Sequence, residues 1–121
     1  MKLFWEPITL DLRTTFRVAH GASDQRHNVL VYLDDGVGEA AAVPYYGETQ
    51  EGIIEYLKSV PDLGDDLFDM DAILDKRPAG SRAARSAIDE ALHDLWGKKL
   101  NQPLYKLFGL NPNNLPLTSF T

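Results

Sequence analysis

The stretch from Ser81 to Gly109 constrains the fold more than any other part of the chain. Ala84, Ala87, Ile88, Ala91, Leu92 and Leu95 recur at the three-and-four spacing that puts side chains on one face of an α-helix. Ser81 stands where an N-cap is needed, and Arg82, Arg85, Glu90 and Asp94 fall mostly off the apolar face. Half of that face is alanine, so the helix can approach a sheet or another helix closely. Pro103 suits the first turn of a further short helix, and Gly109 suits its end. A buried helix of this length needs a partner surface, and the first third of the chain supplies one.

Leu3, Trp5, Ile8, Leu10 and Leu12 read as a first strand, with Pro7 marking an edge or a bulge. Asn28 to Leu33 reads as a second strand, placing Val29, Val31 and Leu33 on one face and Leu30 and Tyr32 on the other. Asp34-Asp35-Gly36 predicts a hairpin turn in which Gly36 supplies a positive φ. Val37 to Val43 returns as a third strand, giving an antiparallel meander. Residues 16 to 28 between the first two strands are polar with poor periodicity and read as a long loop. Pro44 to Glu48 reads as a second irregular segment. Thr49 is the expected N-cap of a helix over Gln50 to Ser59, closed by Pro61. Asp69 or Asp71 is expected to cap a short helix through Leu74, and Pro78-Ala79-Gly80 breaks the chain before the long helix. Strands followed by helices argue for an α+β domain: a three-stranded antiparallel β-meander and then a helical bundle.

Composition narrows the function classes. With 121 residues there is room for one domain of ordinary size. Hydrophobic residues at 44% and charged residues at 25% fit a folded globular domain rather than a disordered one. A formal net charge of −6 argues against nucleic acid and anionic membranes as partners. The absence of cysteine excludes disulfides and thiolate metal sites. No apolar run approaches the roughly 20 residues of a membrane span, and the first residues do not read as a signal peptide. A cytoplasmic location is the default expectation.

No residue presents itself as a stand-alone catalyst. Asp62, Asp65, Asp66, Asp69, Asp71 and Asp75 lack the alternating spacing of a calcium loop and read as caps and a solvated face. His20, His27 and His93 have no metal-ligand spacing, and His93 reads as a half-buried structural residue. Gly36-Val37-Gly38 lacks the third glycine and following helix of a dinucleotide fingerprint. Lys98 and Lys99 complement the dipole at a helix C-terminus.

Three segments together carry a family resemblance. Gly38-Glu39-Ala40, Pro44 and Tyr46-Gly47-Glu48-Thr49 form one. Pro78-Ala79-Gly80 with Ala87-Ile88-Asp89 and Ala91-Leu92-His93-Asp94-Leu95 form the second, and Gln102-Pro103-Leu104-Tyr105 with Leu107-Phe108-Gly109 the third. They resemble the N-terminal capping domain of the enolase superfamily, in its mandelate racemase and muconate lactonizing branch. The Tyr46–Thr49 and Pro78–Gly80 pieces most resemble dipeptide epimerases of the L-Ala-D/L-Glu type. His93 stands where the family usually has tryptophan.

The resemblance implies the rest of the functional reading. Residues 1–112 would form the cap, and residues 113–121 a linker and the start of a first barrel strand. The catalytic lysines and the acidic ligands of a Mg²⁺ ion would lie in a (β/α)₈ barrel of about 250 residues, outside this chain. No catalytic or metal-binding residue is therefore expected here. The cap would supply two specificity loops over the barrel mouth, matching residues 16–28 and 44–49. The candidate substrate contacts are His20, Ser23, Arg26, Tyr46 and Thr121. Ser23 stands where the Ala-Glu epimerases carry the arginine that pairs with the distal carboxylate, and Arg26 can compensate if the loop folds differently. The substrate would be a small molecule such as a dipeptide. Leu104, Tyr105, Leu107 and Phe108 would dock on the barrel or on a neighbouring subunit of a homo-oligomer. Two rivals remain at this point: the cap of a muconate cycloisomerase or o-succinylbenzoate synthase, and a non-catalytic interaction module. Truncation of a longer chain is compatible with the first reading.

Overall fold

The computed structural model describes residues 1–19 and 21–119. Its sheet has three antiparallel strands in the order β1-β2-β3: β1 (Leu3–Val18), β2 (Gly21–Leu33) and β3 (Gly36–Ala40). Four helices follow: α1 (Gln50–Ser59), α2 (Met70–Asp75), α3 (Arg82–Leu100) and α4 (Leu104–Leu107). The α+β meander-and-helices architecture expected from the sequence is the one found. Among the described residues no helix is long and apolar enough to cross a membrane.

The core lies between one sheet face and α3. Val29, Val31 and Leu33 are fully buried, as their alternation requires. All six apolar positions assigned to the α3 face are buried too, and α1 adds Ile53, Tyr56 and Leu57. Burying each large aliphatic side chain stabilises the fold by roughly 1.5–3 kcal/mol before packing defects are counted. The opposite sheet face carries Phe4 stacked on Tyr32, with ring centroids 4.7 Å apart.

The close approach of α3 to β3 depends on two glycines. A Cβ on Gly36 would lie 2.1 Å from the Ala91 carbonyl oxygen, and one on Gly38 would lie 2.0 Å from that of Ala87. The alanines on α3 and the glycines on β3 therefore form one requirement. This corrects the expectation for the turn: Asp34 takes the left-handed backbone, at φ 48°, while Gly36 sits in β3 for reasons of space. Helix α3 also shields the exposed edge of β3. The Val37 N–H donates to Asp94 Oδ2 at 2.9 Å, and the Glu39 N–H donates to Glu90 Oε2 at 3.0 Å. Edge amides that could recruit another strand are thus satisfied within the domain.

Caps fall where the sequence placed them, with one exception. The Thr49 hydroxyl accepts from the Gly52 N–H, and the Ser81 hydroxyl from the Ala84 N–H. Asp69 occupies the N-cap position of α2 without a side-chain cap bond. Other acidic residues nearby close local turns: Asp62 accepts from the Gly64 N–H and Asp66 from the Phe68 N–H. Helix α3 ends at Asn101, which takes φ 51°, a left-handed stop. Tyr56 donates from its hydroxyl to the Pro78 carbonyl at 2.7 Å, and burial pushes its pKa up. Gly80 lies so close that a Cβ there would sit 2.7 Å from the Tyr56 ring.

Two segment boundaries differ from expectation. The third strand stops at Ala40 rather than Val43, because the Ala42 N–H donates to the Asn28 side chain instead of to a ladder partner. Residues 16–18 and 21–28 are not a loop. They continue β1 and β2 into the outer half of a long hairpin, with Leu10 paired to Arg26, Asp11 to Gln25 and Phe16 to Ser23. Between Asp11 and Phe16 the register shifts, so residues 12–15 face Asp24 alone. The polarity that suggested a loop has another cause. Both faces of this outer ribbon meet solvent, so no apolar alternation is imposed.

Candidate functional site

A cleft of 1220 Å³ opens between the outer hairpin and the segment that leads into α1. Asp11, Phe16, Ser23 and Arg26 contribute to one wall, and Val43, Tyr45 and Glu48 to the other. The floor is a hydrogen-bonded junction. Gln50 donates from Nε2 to the Asn28 carbonyl at 2.9 Å and to the Ile8 carbonyl at 3.3 Å. Asn28, only 5% exposed, donates to Glu39 at 2.7 Å while its side-chain oxygen accepts from the Ala42 N–H at 3.1 Å. These bonds join both hairpin strands, the end of β3 and the start of α1 at one point. A buried Asn28 bonded through both its oxygen and its nitrogen, with half-buried Gln50 donating twice beside it, makes a rigid base.

The hairpin wall is ordered by cross-strand side-chain pairs. Gln25 donates to Asp11 at 2.8 Å, Thr15 donates to Asp24, and the Thr9 hydroxyl meets His27 Nδ1 at 3.2 Å. Arg26 holds its guanidinium 5.1 Å from the centroid of the Phe16 ring, within cation–π range. It also donates weakly to the Gln25 carbonyl at 3.4 Å. Three carboxylates of the same cleft are engaged elsewhere: Asp11 with Gln25, Asp24 with Thr15, and Glu48 with the N-terminus of α3. Arg26 forms no ion pair among the described residues. Its planar guanidinium thus retains capacity for an anionic or carbonyl group.

The opposite wall is built on a tight turn. Pro44–Tyr46 forms one 3-10 turn, and Gly47 ends it at φ 73°. Tyr45 and Tyr46 meet edge to face at 5.1 Å. Tyr46, 76% exposed, borders a separate cavity of 630 Å³ against the start of α3, together with Arg82, Ser86 and Glu90.

Of the five residues singled out from the sequence, Ser23 and Arg26 line the larger cleft and Tyr46 lines the smaller one. His20 and Thr121 lie outside the described residues. Reading the sequence alone missed Phe16, Asn28 and Gln50. The Phe16–Arg26 contact becomes legible only once the hairpin register is known. Asn28 and Gln50 carry no local signal because their partners lie 11 to 42 residues away. His93 is half-buried, its Nδ1 2.9 Å from the Asp89 carbonyl, with its ring tilted on Phe108 at 5.8 Å. That is the packing role expected of it.

Among the described residues no three His, Cys, Asp or Glu side chains converge on a point where a metal could be held. Asp11, Asp24 and Glu48 at the cleft are committed to hydrogen bonds with side chains and an amide, and Glu51 joins no such group of three, so these residues do not make a Mg²⁺ site.

Residues 6–109 match the family described as mandelate racemase / muconate lactonizing enzyme, N-terminal domain. The whole chain is 40% identical to part of the L-Ala-D/L-Glu epimerase of Bacteroides thetaiotaomicron, covering 34% of that protein. Among solved structures, the dipeptide epimerase from Methylococcus capsulatus, complexed with Mg and the dipeptide L-Arg-D-Lys, superimposes with a TM-score of 0.75 at 28% identity. That match covers 89% of this chain and 34% of the other. The N-succinyl Arg/Lys racemase from Bacillus cereus superimposes with a TM-score of 0.73 at 31% identity, over 87% of this chain and 32% of that one. The chain thus spans about a third of the length of the relatives it matches. Structures named for different substrates fit almost equally well, so backbone shape does not select among them.

Proposed function

The chain belongs to the mandelate racemase / muconate lactonizing enzyme N-terminal domain family, and from that premise we propose that it is the capping, substrate-selecting domain of a Mg²⁺-dependent dipeptide epimerase. The proton abstraction α to the substrate carboxylate would be performed by a (β/α)₈ barrel outside these residues, and the metal would be held there. The single observation that carries the reading is the cleft whose two walls are residues 21–27 and 42–51. These walls correspond to the segments that the family resemblance assigns to specificity. The 40% identity to an L-Ala-D/L-Glu epimerase supports the dipeptide class over the muconate cycloisomerase alternative.

Within that reading the cap's residues bind and orient. Arg26, held on Phe16, presents its guanidinium to the distal carboxylate or carbonyl of the dipeptide. Ser23, whose hydroxyl donates to the Gln25 carbonyl, offers its oxygen as an acceptor on the same wall, and His20 and Thr121 would complete the contact set. Tyr46 backs the opposite loop. Closing both walls over a barrel mouth excludes water, which strengthens electrostatic contacts inside. Half-exposed Tyr105 and Phe108 are the docking residues toward the barrel.

The test is α-proton exchange of L-Ala-L-Glu in D₂O by the complete protein, followed by NMR with and without a chelator. Exchange that requires Mg²⁺, with no exchange by residues 1–121 alone, is the expected result. Exchange by residues 1–121 alone, or none by the complete protein on any dipeptide of a broad panel, contradicts the proposal.

A further inference from the structure

We propose that Glu48 is a positioning residue that clamps the 42–49 wall of the cleft to α3 and so sets how tightly substrate is held. The inference rests on the substrate-selecting role proposed above, but its geometry stands on its own. Glu48 Oε2 accepts from the Ser81 hydroxyl at 2.7 Å, and Oε1 accepts from the Ala83 N–H at 3.1 Å. The residues it joins are 33 and 35 positions away in sequence. Ser81 caps the Ala84 N–H at the same time. The first turn of α3 is therefore satisfied partly by its own cap and partly by a carboxylate from the cleft wall. A helix N-terminus leaves amides without internal partners and favours negative charge, so the contact suits both sides.

The next residue ties the wall to a second helix. Thr49 accepts from the Gly52 N–H at 3.0 Å and caps α1. Consecutive residues thus end one turn and begin two helices. The turn between them closes on itself: the N–H groups of Tyr46 and Glu48 both donate to the Val43 carbonyl, at 3.0 and 3.3 Å. Glu48 also borders both cavities, the cleft on one side and the smaller one on the other. Its carboxylate is the cross-link between the wall bearing Val43 and Tyr45 and the N-terminal end of the longest helix. The opposing wall is tied to a helix only at its base, where Gln50 of α1 donates to the Ile8 and Asn28 carbonyls; among the described contacts the side chains of residues 21–27 bond only within the hairpin.

Three variants of the complete protein test this, with dipeptide epimerisation and amide hydrogen exchange as parallel readouts. Glu48→Ala removes both bonds. It is expected to raise KM about tenfold with less than a twofold change in kcat, and to speed exchange of the amides of residues 45–49 and Ala83. Glu48→Gln keeps one acceptor and should fall between wild type and Glu48→Ala on both readouts. Asp94→Asn breaks a contact at the far end of α3 and should leave KM and exchange in residues 45–49 unchanged. If Glu48→Ala leaves exchange in residues 45–49 at the wild-type rate, the clamp is overturned whatever the activity. Accelerated exchange with an unchanged KM overturns the link to substrate. Should the wild-type protein epimerise no dipeptide, the function proposed above fails, and the exchange data alone decide the clamp.

Discussion

Strands β1 and β2 are the two long strands of the sheet, yet their two halves differ in kind. At the inner half Val29, Val31 and Leu33 are fully buried under α3, and Asn28 closes the end of the core. At the outer half the same two strands go on pairing from Leu10–Arg26 to Val18–Gly21 across the register shift between Asp11 and Phe16, and none of the side chains described from residues 21 to 27 is buried. Both halves are antiparallel ladder, interrupted in the outer one by that shift, and burial is what separates a scaffold from a binding surface. A residue in the inner half answers to packing, while one in the outer half answers to solvent and to whatever enters the cleft. The family of structures matched here shares the scaffold across different substrates, consistent with that division.

The comparison predicts a steep gradient in mutational effect. Leu92→Ala, at a fully buried position on α3, should cost about 4 kcal/mol through lost burial and a cavity, read by urea unfolding. Gly38→Ala adds a single methyl yet should cost about 3 kcal/mol, because the new carbon must displace the Ala87 backbone. Replacing a surface glycine such as Gly21, where a Cβ meets nothing within 4 Å, tests backbone conformation without that clash.

A smaller effect belongs to the sealed edge of β3. Burial alone would raise the Asp94 pKa, but hydrogen bonds from Lys98 and the Val37 N–H outweigh it and hold the carboxyl below its usual value. A depressed folded pKa means stability that is present above the ordinary aspartate range and lost as pH falls through the folded value. Asp94→Asn should therefore cost about 1 kcal/mol or less at neutral pH, given the half-exposed setting. It should also flatten the acid limb of the stability curve below about pH 4. An acid limb identical to wild type would remove Asp94 from the account.

The smallest stability effect is expected in the outer hairpin. Phe16→Ala should change unfolding free energy by less than about 0.5 kcal/mol, as for ordinary surface positions. It should nonetheless weaken substrate binding, because Arg26 loses the ring that orients it. A large stability loss there would erase the distinction between the halves.

The same division explains what the sequence disclosed. The α3 face was legible from Ala84 to Leu95 because a buried helix repeats its apolar residues. Val29, Val31 and Leu33 were legible because one sheet face is dry. The loop expected over residues 16–28 is strand at 16–18 and 21–28; a ribbon wet on both faces has no period to detect. Gly36 was assigned to a turn because its real constraint, the Ala91 carbonyl, lies 55 residues away and is visible only in three dimensions. Glu48 belongs with it: its partners on α3 give no local signal. Family resemblance points to Ser23 and Arg26 as residues of a specificity loop, and the Phe16 beneath Arg26 emerges only with the register.

The most direct measurement is kcat/KM of the complete protein, wild type and Arg26→Ala, across dipeptides whose second residue is acidic, neutral or basic. The account predicts that wild type prefers an acidic or polar second residue and that Arg26→Ala loses this preference by tenfold or more while its melting temperature stays within about 2 °C. An unchanged preference in Arg26→Ala would contradict the assignment of the outer hairpin as the selecting wall.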